Sequence, residues 1–273
     1  MRNKNAPIGV FDSGVGGLTV VREIMRQIPN EKIVYFGDTA RVPYGSKSKE
    51  TVTRYSRQIV RFLQTQEVKA IVVACNTASA YTLDEIEKET ELPMIGVVKP
   101  GARVAAQTTA NGKIGVIATE GTVNSHIYSR YIKEIKPDAN VVGKACPLFV
   151  PLVEEGLLQD PVTDEIAKRY LTELIDIGID TLILGCTHYP LLRSTVGKIM
   201  GEGVRLVNPA YETARELKEL LEEAELLNEE EPKLGDNKYR FYVSDGAEKF
   251  KRFANSIIKY GILSAKIINI EEY

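Results

Sequence analysis

Thr181-Leu182-Ile183-Leu184-Gly185-Cys186-Thr187-His188-Tyr189-Pro190 runs from β-prone apolar residues straight into a glycine, a cysteine and a polar cluster. A segment that is apolar on both faces belongs inside a parallel sheet covered by helices. In such sheets ligands sit just beyond the carboxyl ends of the strands, which is where Cys186 falls. The same pattern occurs earlier, as Ala70-Ile71-Val72-Val73-Ala74-Cys75-Asn76-Thr77-Ala78-Ser79. Two strand ends that each present one cysteine and small polar residues call for a common explanation.

Outward from these two segments, short apolar runs alternate with helical periodicity. Strands are expected at 7–11, 32–36 and 92–97, and helices at 18–27, 48–66 and 79–90. At Lys113 the pattern starts again. Ile114-Gly115-Val116-Ile117-Ala118-Thr119 mirrors Ile8-Gly9-Val10-Phe11-Asp12-Ser13 at an offset of 106 residues, and Cys186 follows Cys75 by 111. Two anchors with nearly equal offsets point to an internal duplication. The second copy predicts helices at 128–135 and 164–177 and strands at 140–144 and 204–207.

The last third has no counterpart in the duplication. It reads as a helix at 212–227, a solvated loop Glu229-Glu230-Glu231-Pro232, and strands at 239–244 and 265–270 around a helix at 247–260. The expected fold class is α/β: two similar domains, each a central, mainly parallel sheet flanked by helices, related by pseudo-symmetry. The expected boundaries are 1–98 plus 209–273 for a discontinuous first domain and 99–208 for the second. The active site is expected in the cleft between them.

Composition narrows the function classes. The 273 residues are 44% hydrophobic and 26% charged, with a net charge of −2 and no basic cluster, so no nucleic-acid partner is expected. No apolar run approaches the ~20 residues of a membrane-spanning helix, so no membrane partner is expected either. Residues 1–6 are polar and lead into a strand, so no signal peptide is expected. Three cysteines, an odd number without framework spacing, fit a reducing cytoplasm where thiols stay free.

Competing motifs fit less well. Gly14-Val15-Gly16-Gly17 starts like a dinucleotide fingerprint, but the third glycine position is Thr19. Asp38 at the end of the second strand keeps a nicotinamide-dependent oxidoreductase as a distant alternative. No lysine follows the glycines as a P-loop requires. They permit a tight turn, and the turn can present N–H groups to a carboxylate. A zinc site from Cys75, Cys186, His188 and a carboxylate lacks a recognisable spacing, so neither metal nor cofactor is expected. Cys146, before Pro147 and without polar neighbours, reads as core packing. Cys75 and Cys186 lie among hydrogen-bonding neighbours, as reactive thiols do. Two acid–base groups on opposite faces of one carbon are what inversion of a stereocentre requires. A thiol with a pKa near ~8.5 serves as acid or base near neutrality after a modest shift.

Four segments together resemble the cofactor-independent glutamate racemases: the run from Gly9 to Thr19, Pro43-Tyr44-Gly45, Ala74-Cys75-Asn76-Thr77-Ala78 and Leu184-Gly185-Cys186-Thr187-His188-Tyr189-Pro190. The resemblance covers essentially the whole chain. It implies two α/β domains with the site between them, Cys75 acting on the D-enantiomer and Cys186 on the L-enantiomer. It also implies a small-molecule substrate, glutamate, lined by Asp12, Ser13, Tyr44, Gly45, Asn76, Thr77, Thr187 and His188, and a role in supplying D-glutamate for peptidoglycan. Aspartate racemases share the two-cysteine plan and remain the alternative. On this reading Asp12 assists Cys75 and His188 assists Cys186. Glu154 orients His188, with Glu155 equally available, and Thr119, the positional mirror of Ser13, faces the cleft. A homodimer is the expected assembly, although helix faces read alike in a core and against a partner.

Overall fold

A computed structural model of the chain describes residues 3–230, 238–258 and 264–273. In chain order the elements are β1 (Ile8–Asp12), α1 (Leu18–Gln27), β2 (Ile33–Gly37), α2 (Lys49–Thr65), β3 (Ala70–Val73), α3 (Asn76–Ile86), β4 (Met94–Gly96) and α4 (Val98–Thr108). Then come β5 (Lys113–Ala118), α5 (Glu120–Asn124), α6 (Ile127–Ile135), β6 (Asn140–Ala145), α7 (Phe149–Glu154), α8 (Pro161–Ile177), β7 (Thr181–Gly185), α9 (Arg193–Met200) and β8 (Arg205–Val207). The chain finishes with α10 (Pro209–Glu223), β9 (Tyr239–Val243), α11 (Ala247–Ile257) and β10 (Lys266–Ile267).

The strands form two sheets, in the orders β10-β9-β2-β1-β3-β4 and β6-β5-β7-β8, and every pairing is parallel. The order β2-β1-β3-β4 recurs as β6-β5-β7-β8, so the duplication seen in sequence is a duplication of topology. Register carries the same equivalence. Ile8 stands opposite Ile33 and Ala70, and Ile114 opposite Val141 and Thr181. The unduplicated β9 and β10 extend the first sheet beyond β2.

Strand alternation divides each half into two cores. Ile8 and Val10 of β1 face α1, α10 and α11, whereas Phe11 faces α2 and α3. In the second sheet Leu182 and Leu184 pack with α7, α8 and α9, and Ile183 faces α4 and α6. Because β1, β2, β3 and β7 are buried throughout, their polar neighbours collect at the strand ends.

The structure moves several expected boundaries. The third helix begins at Asn76, not 79, because Cys75 is its cap. Lys99-Pro100-Gly101 lies inside α4, whose first turn tolerates a proline because its missing N–H has no helical partner there. The short helices α5, α7 and α9 carry too few periodic positions to read from sequence. Helix α10 runs from Pro209 to Glu223, and the last strand shortens to Lys266–Ile267. The acidic loop from Glu231 on, and the end of the 247–260 helix beyond Ile258, lie outside the described residues.

At the amino end of the first sheet, buried Lys69 places Nζ 2.5 Å from Glu31 Oε2 and donates to the carbonyls of Lys4 and Leu226. Glu31 Oε1 accepts from the Asn228 amide at 2.8 Å, so the pair ties β3, the approach to β2 and the segment after α10. Removing one partner of a buried pair leaves an uncompensated charge. Lys69→Met is expected to lower stability by about 3–5 kcal/mol, read as a fall in the urea midpoint at unchanged slope.

Candidate active site

The two cysteines stand at equivalent strand ends and line one cavity of about 260 Å³. Cys75 caps α3: its extended backbone turns the sulfur so that Sγ accepts from the Ala78 amide at 3.4 Å. Its thiol donates to Ser13 Oγ at 3.7 Å. Cys186 directly follows β7, and its Sγ lies 3.8 Å from His188 Nδ1. His188 Nε2 lies 3.2 Å from Glu154 Oε1 at the end of α7, so Glu154 is the carboxylate paired with the imidazole. A cleft of about 780 Å³ opens elsewhere and one of about 560 Å³ adjoins the site at Glu154, and neither reaches a cysteine.

The structure gathers Ser13, Tyr44, Gly45, Asn76, Thr77, Thr119, Glu154, Thr187 and His188 around the same cavity. Asp12 is placed differently. It is fully buried beneath the cavity wall, where its carboxylate accepts from the Gly14 amide at 2.9 Å and from Thr187 Oγ1 at 3.5 Å.

Residues 8–217 match the family model described as Asp/Glu/Hydantoin racemase. A glutamate racemase from Geobacter metallireducens is 51% identical over 251 residues, 92% of each chain. Among solved structures, a glutamate racemase isoform from Bacillus anthracis superposes with a TM-score of 0.92 at 42% identity, covering 97% of this chain and 98% of its own. A glutamate racemase from Francisella tularensis in complex with D-glutamate gives 0.91 at 39% identity, covering 99% and 100%. The chain belongs to the Asp/Glu/Hydantoin racemase family, among its glutamate racemases.

For a member of this family the electrostatics of the cavity are uneven. Burial, and secondarily the nearby Asp12 carboxylate, push the Cys75 thiol up to about 12, against its hydrogen bonding with the Ala78 amide and Ser13. Cys75 therefore rests as a protonated thiol. Burial also raises Asp12, opposed by His188 and by the amides of Gly14 and Gly17. For His188 burial acts downward, but Cys186 and Glu154 outweigh it and raise the imidazole, favouring the cation. The hydrogen bond from His188, outweighing burial, holds Glu154 below the usual carboxylate range. Among the described residues lining the cavity, His188 is the only one able to carry positive charge.

Several contributors escape sequence reasoning. Asp38 holds Tyr44 in the wall by accepting from its hydroxyl, and also accepts from Arg41 Nε and Ser244 Oγ at 2.8 and 2.9 Å. Tyr128 on α6 donates to Asn76 Oδ1 at 2.7 Å across the halves. Val42, Pro43, Val150 and Pro151 supply the apolar lining. The Asp38 signal, an acid at a strand end, is visible in sequence but reads there as support for a nicotinamide-dependent oxidoreductase. Tyr128 had no local signal at all.

Gly16 faces the Cys186 loop so closely that a Cβ there would sit 2.3 Å from Thr187 Oγ1 and 2.6 Å from the His188 ring. Gly16→Ala is expected to displace that loop and cut kcat about 10²-fold, while costing about 1–3 kcal/mol of stability in denaturant titration.

Cys75 also makes a pH prediction. A thiol raised in the fold above its unfolded value near ~8.5 contributes stability that is complete below that value and is lost as pH rises toward about 12. Relative to Cys75→Ser, the parent is expected to lose about 2 kcal/mol between pH 7 and pH 10, measured by urea unfolding at both values.

Proposed function

We propose that the chain interconverts L- and D-glutamate by two-base proton transfer at the α-carbon, with no metal and no cofactor. The observation that carries the reading is the pair of cysteines at equivalent ends of β3 and β7, lining one cavity from opposite halves. One sulfur removes the α-proton as thiolate while the other, as thiol, protonates the opposite face, and each turnover exchanges their roles. Cys186 acts on L-glutamate and Cys75 on D-glutamate. Assistance comes from His188, oriented by Glu154, on the Cys186 side, and from buried Asp12 on the Cys75 side.

The α-proton of an amino acid is very weakly acidic, so developing charge on the carboxylate must meet preorganised donors. Backbone N–H groups at the start of α3 and the hydroxyls of Ser13, Thr77 and Thr119, with the Asn76 amide, supply them. Tyr44 and Gly45 line the same cavity. The wider reading is a cytoplasmic homodimer with domains at 1–98 plus 209–273 and at 99–208, feeding D-glutamate to peptidoglycan.

Racemisation of either enantiomer in D₂O is expected to place solvent deuterium on the α-carbon of the product, followed by NMR or mass spectrometry. Product formed without solvent deuterium would overturn the two-base reading. Cys75→Ser and Cys186→Ser are each expected to reduce racemisation by about 10²–10⁴-fold. Parallel assays with L- and D-aspartate separate the substrates: faster turnover of aspartate would reassign the side-chain length.

A further inference from the structure

Glu154 has two cationic neighbours, and they come from opposite halves of the molecule. Its Oε1 lies 3.2 Å from His188 Nε2, while its Oε2 lies 3.6 Å from Lys249 Nζ on α11. Helix α11 is anchored in the first half, where Phe250 is buried against Tyr35 and Phe241. Lys249 and Phe253 are four residues apart and share a face directed at the second half. Phe253 packs against the cores of both halves, and its ring centroid is 6.2 Å from that of His188. The cleft beside them is lined by Glu154, Lys249 and Phe253 together.

We propose that Lys249, with Phe253 beside it, is a positioning residue that fixes the Glu154–His188 pair and thereby prepares Cys186 without preparing Cys75. This inference rests on the two-base reading above. By holding Oε2, Lys249 turns Oε1 toward the imidazole. A carboxylate there requires N–H on Nε2, which leaves Nδ1 directed at Cys186 Sγ. Phe253 limits tilting of the ring. Cys75 has different neighbours, Ser13 and the Ala78 amide, and neither touches Lys249. The effect is therefore one-sided.

Racemisation rates alone cannot display a one-sided effect, because the free enantiomers have equal energy in water and kcat/KM must change equally in both directions. An irreversible reaction avoids that constraint. From 3-chloroglutamate, loss of the α-proton to the enzyme base and of chloride from the β-carbon leaves an enamine, which water converts to 2-oxoglutarate and ammonium. Each enantiomer of the α-carbon calls on one sulfur only. Lys249→Met is expected to slow elimination from the L-compound about three- to five-fold, the range of a partly exposed ion pair, and to leave the D-compound unchanged. Lys249→Arg is expected to restore the L-rate. The D-compound serves as the folding control. Equal loss with both enantiomers, loss with the D-compound alone, or no loss with the L-compound would overturn the assignment. If the parental protein eliminates from neither compound, the two-base reading itself fails and this inference falls with it.

Discussion

The structure depends on how closely the turn at Gly14–Gly17 approaches the loop that carries Cys186. No side chain fits between Gly16 and the Thr187 hydroxyl and His188 ring. That bare contact lets Thr19 Oγ1 donate to the Thr187 carbonyl at 2.9 Å and lets Thr187 Oγ1 reach Asp12. Nearby, the Gly121 amide donates to the Gly45 carbonyl at 2.8 Å, and Thr77 Oγ1 lies 2.9 Å from Thr119 Oγ1. An apolar interface of the same area would hold the halves together without fixing their register. Buried hydrogen bonds are directional, and each leaves an unsatisfied group when it is broken, so these contacts specify one facing of the two sheets.

The same geometry explains why the cavity manages with so little positive charge. Glutamate brings two carboxylates, and an arginine fork would grip them as firmly before the reaction as during it. Such uniform binding lowers KM without accelerating proton removal. On the proposed reading, amides at the start of α3 and hydroxyls of the threonine cluster take that place, gripping more weakly but held in position by the fold. The lone imidazolium candidate, His188, sits against one sulfur, where it can exchange a proton. Charge is thus concentrated on the transferred proton and kept off the parts of the substrate that do not change.

Much of this was legible in the chain because it lay in contiguous segments. Doubly apolar strands ending at Cys75 and Cys186 announce parallel sheets, and the 106- and 111-residue offsets announce the repeat. Strand-end polar clusters such as Asn76-Thr77 and Thr187-His188 adjoin the two cysteines in sequence and line the cavity with them. What could not be read depends on distances between segments far apart in the chain. Glu154 and Glu155 are equivalent in sequence, and only the orientation of α7 points the first at His188. The resemblance places Asp12 in the lining, but this last residue of β1 is fully buried, its carboxylate turned to the Gly14 amide and the Thr187 hydroxyl. Tyr128 and α11 reach the site from elements whose own patterns speak only of packing.

The duplication raises a final physical question: why a repeated fold carries unequal surroundings for its two sulfurs. Equal surroundings are not demanded by the symmetry of the reaction. Racemisation has an equilibrium constant of one because the free enantiomers are mirror images, whatever the enzyme does. The protein's freedom lies in which protonation state rests in the empty site. A buried Cys75 beside Asp12 favours the thiol, and a His188 pair beside Cys186 can hold or return a proton. With both sulfurs alike, the empty site would be divided between two charge states, each competent for only one enantiomer. Unequal neighbours concentrate the population in one form, and a substrate of the other hand must wait for the proton to move. The unduplicated C-terminal segment, through α11, supplies part of that inequality, so the departure from the repeat is as much a part of the site as the repeat itself.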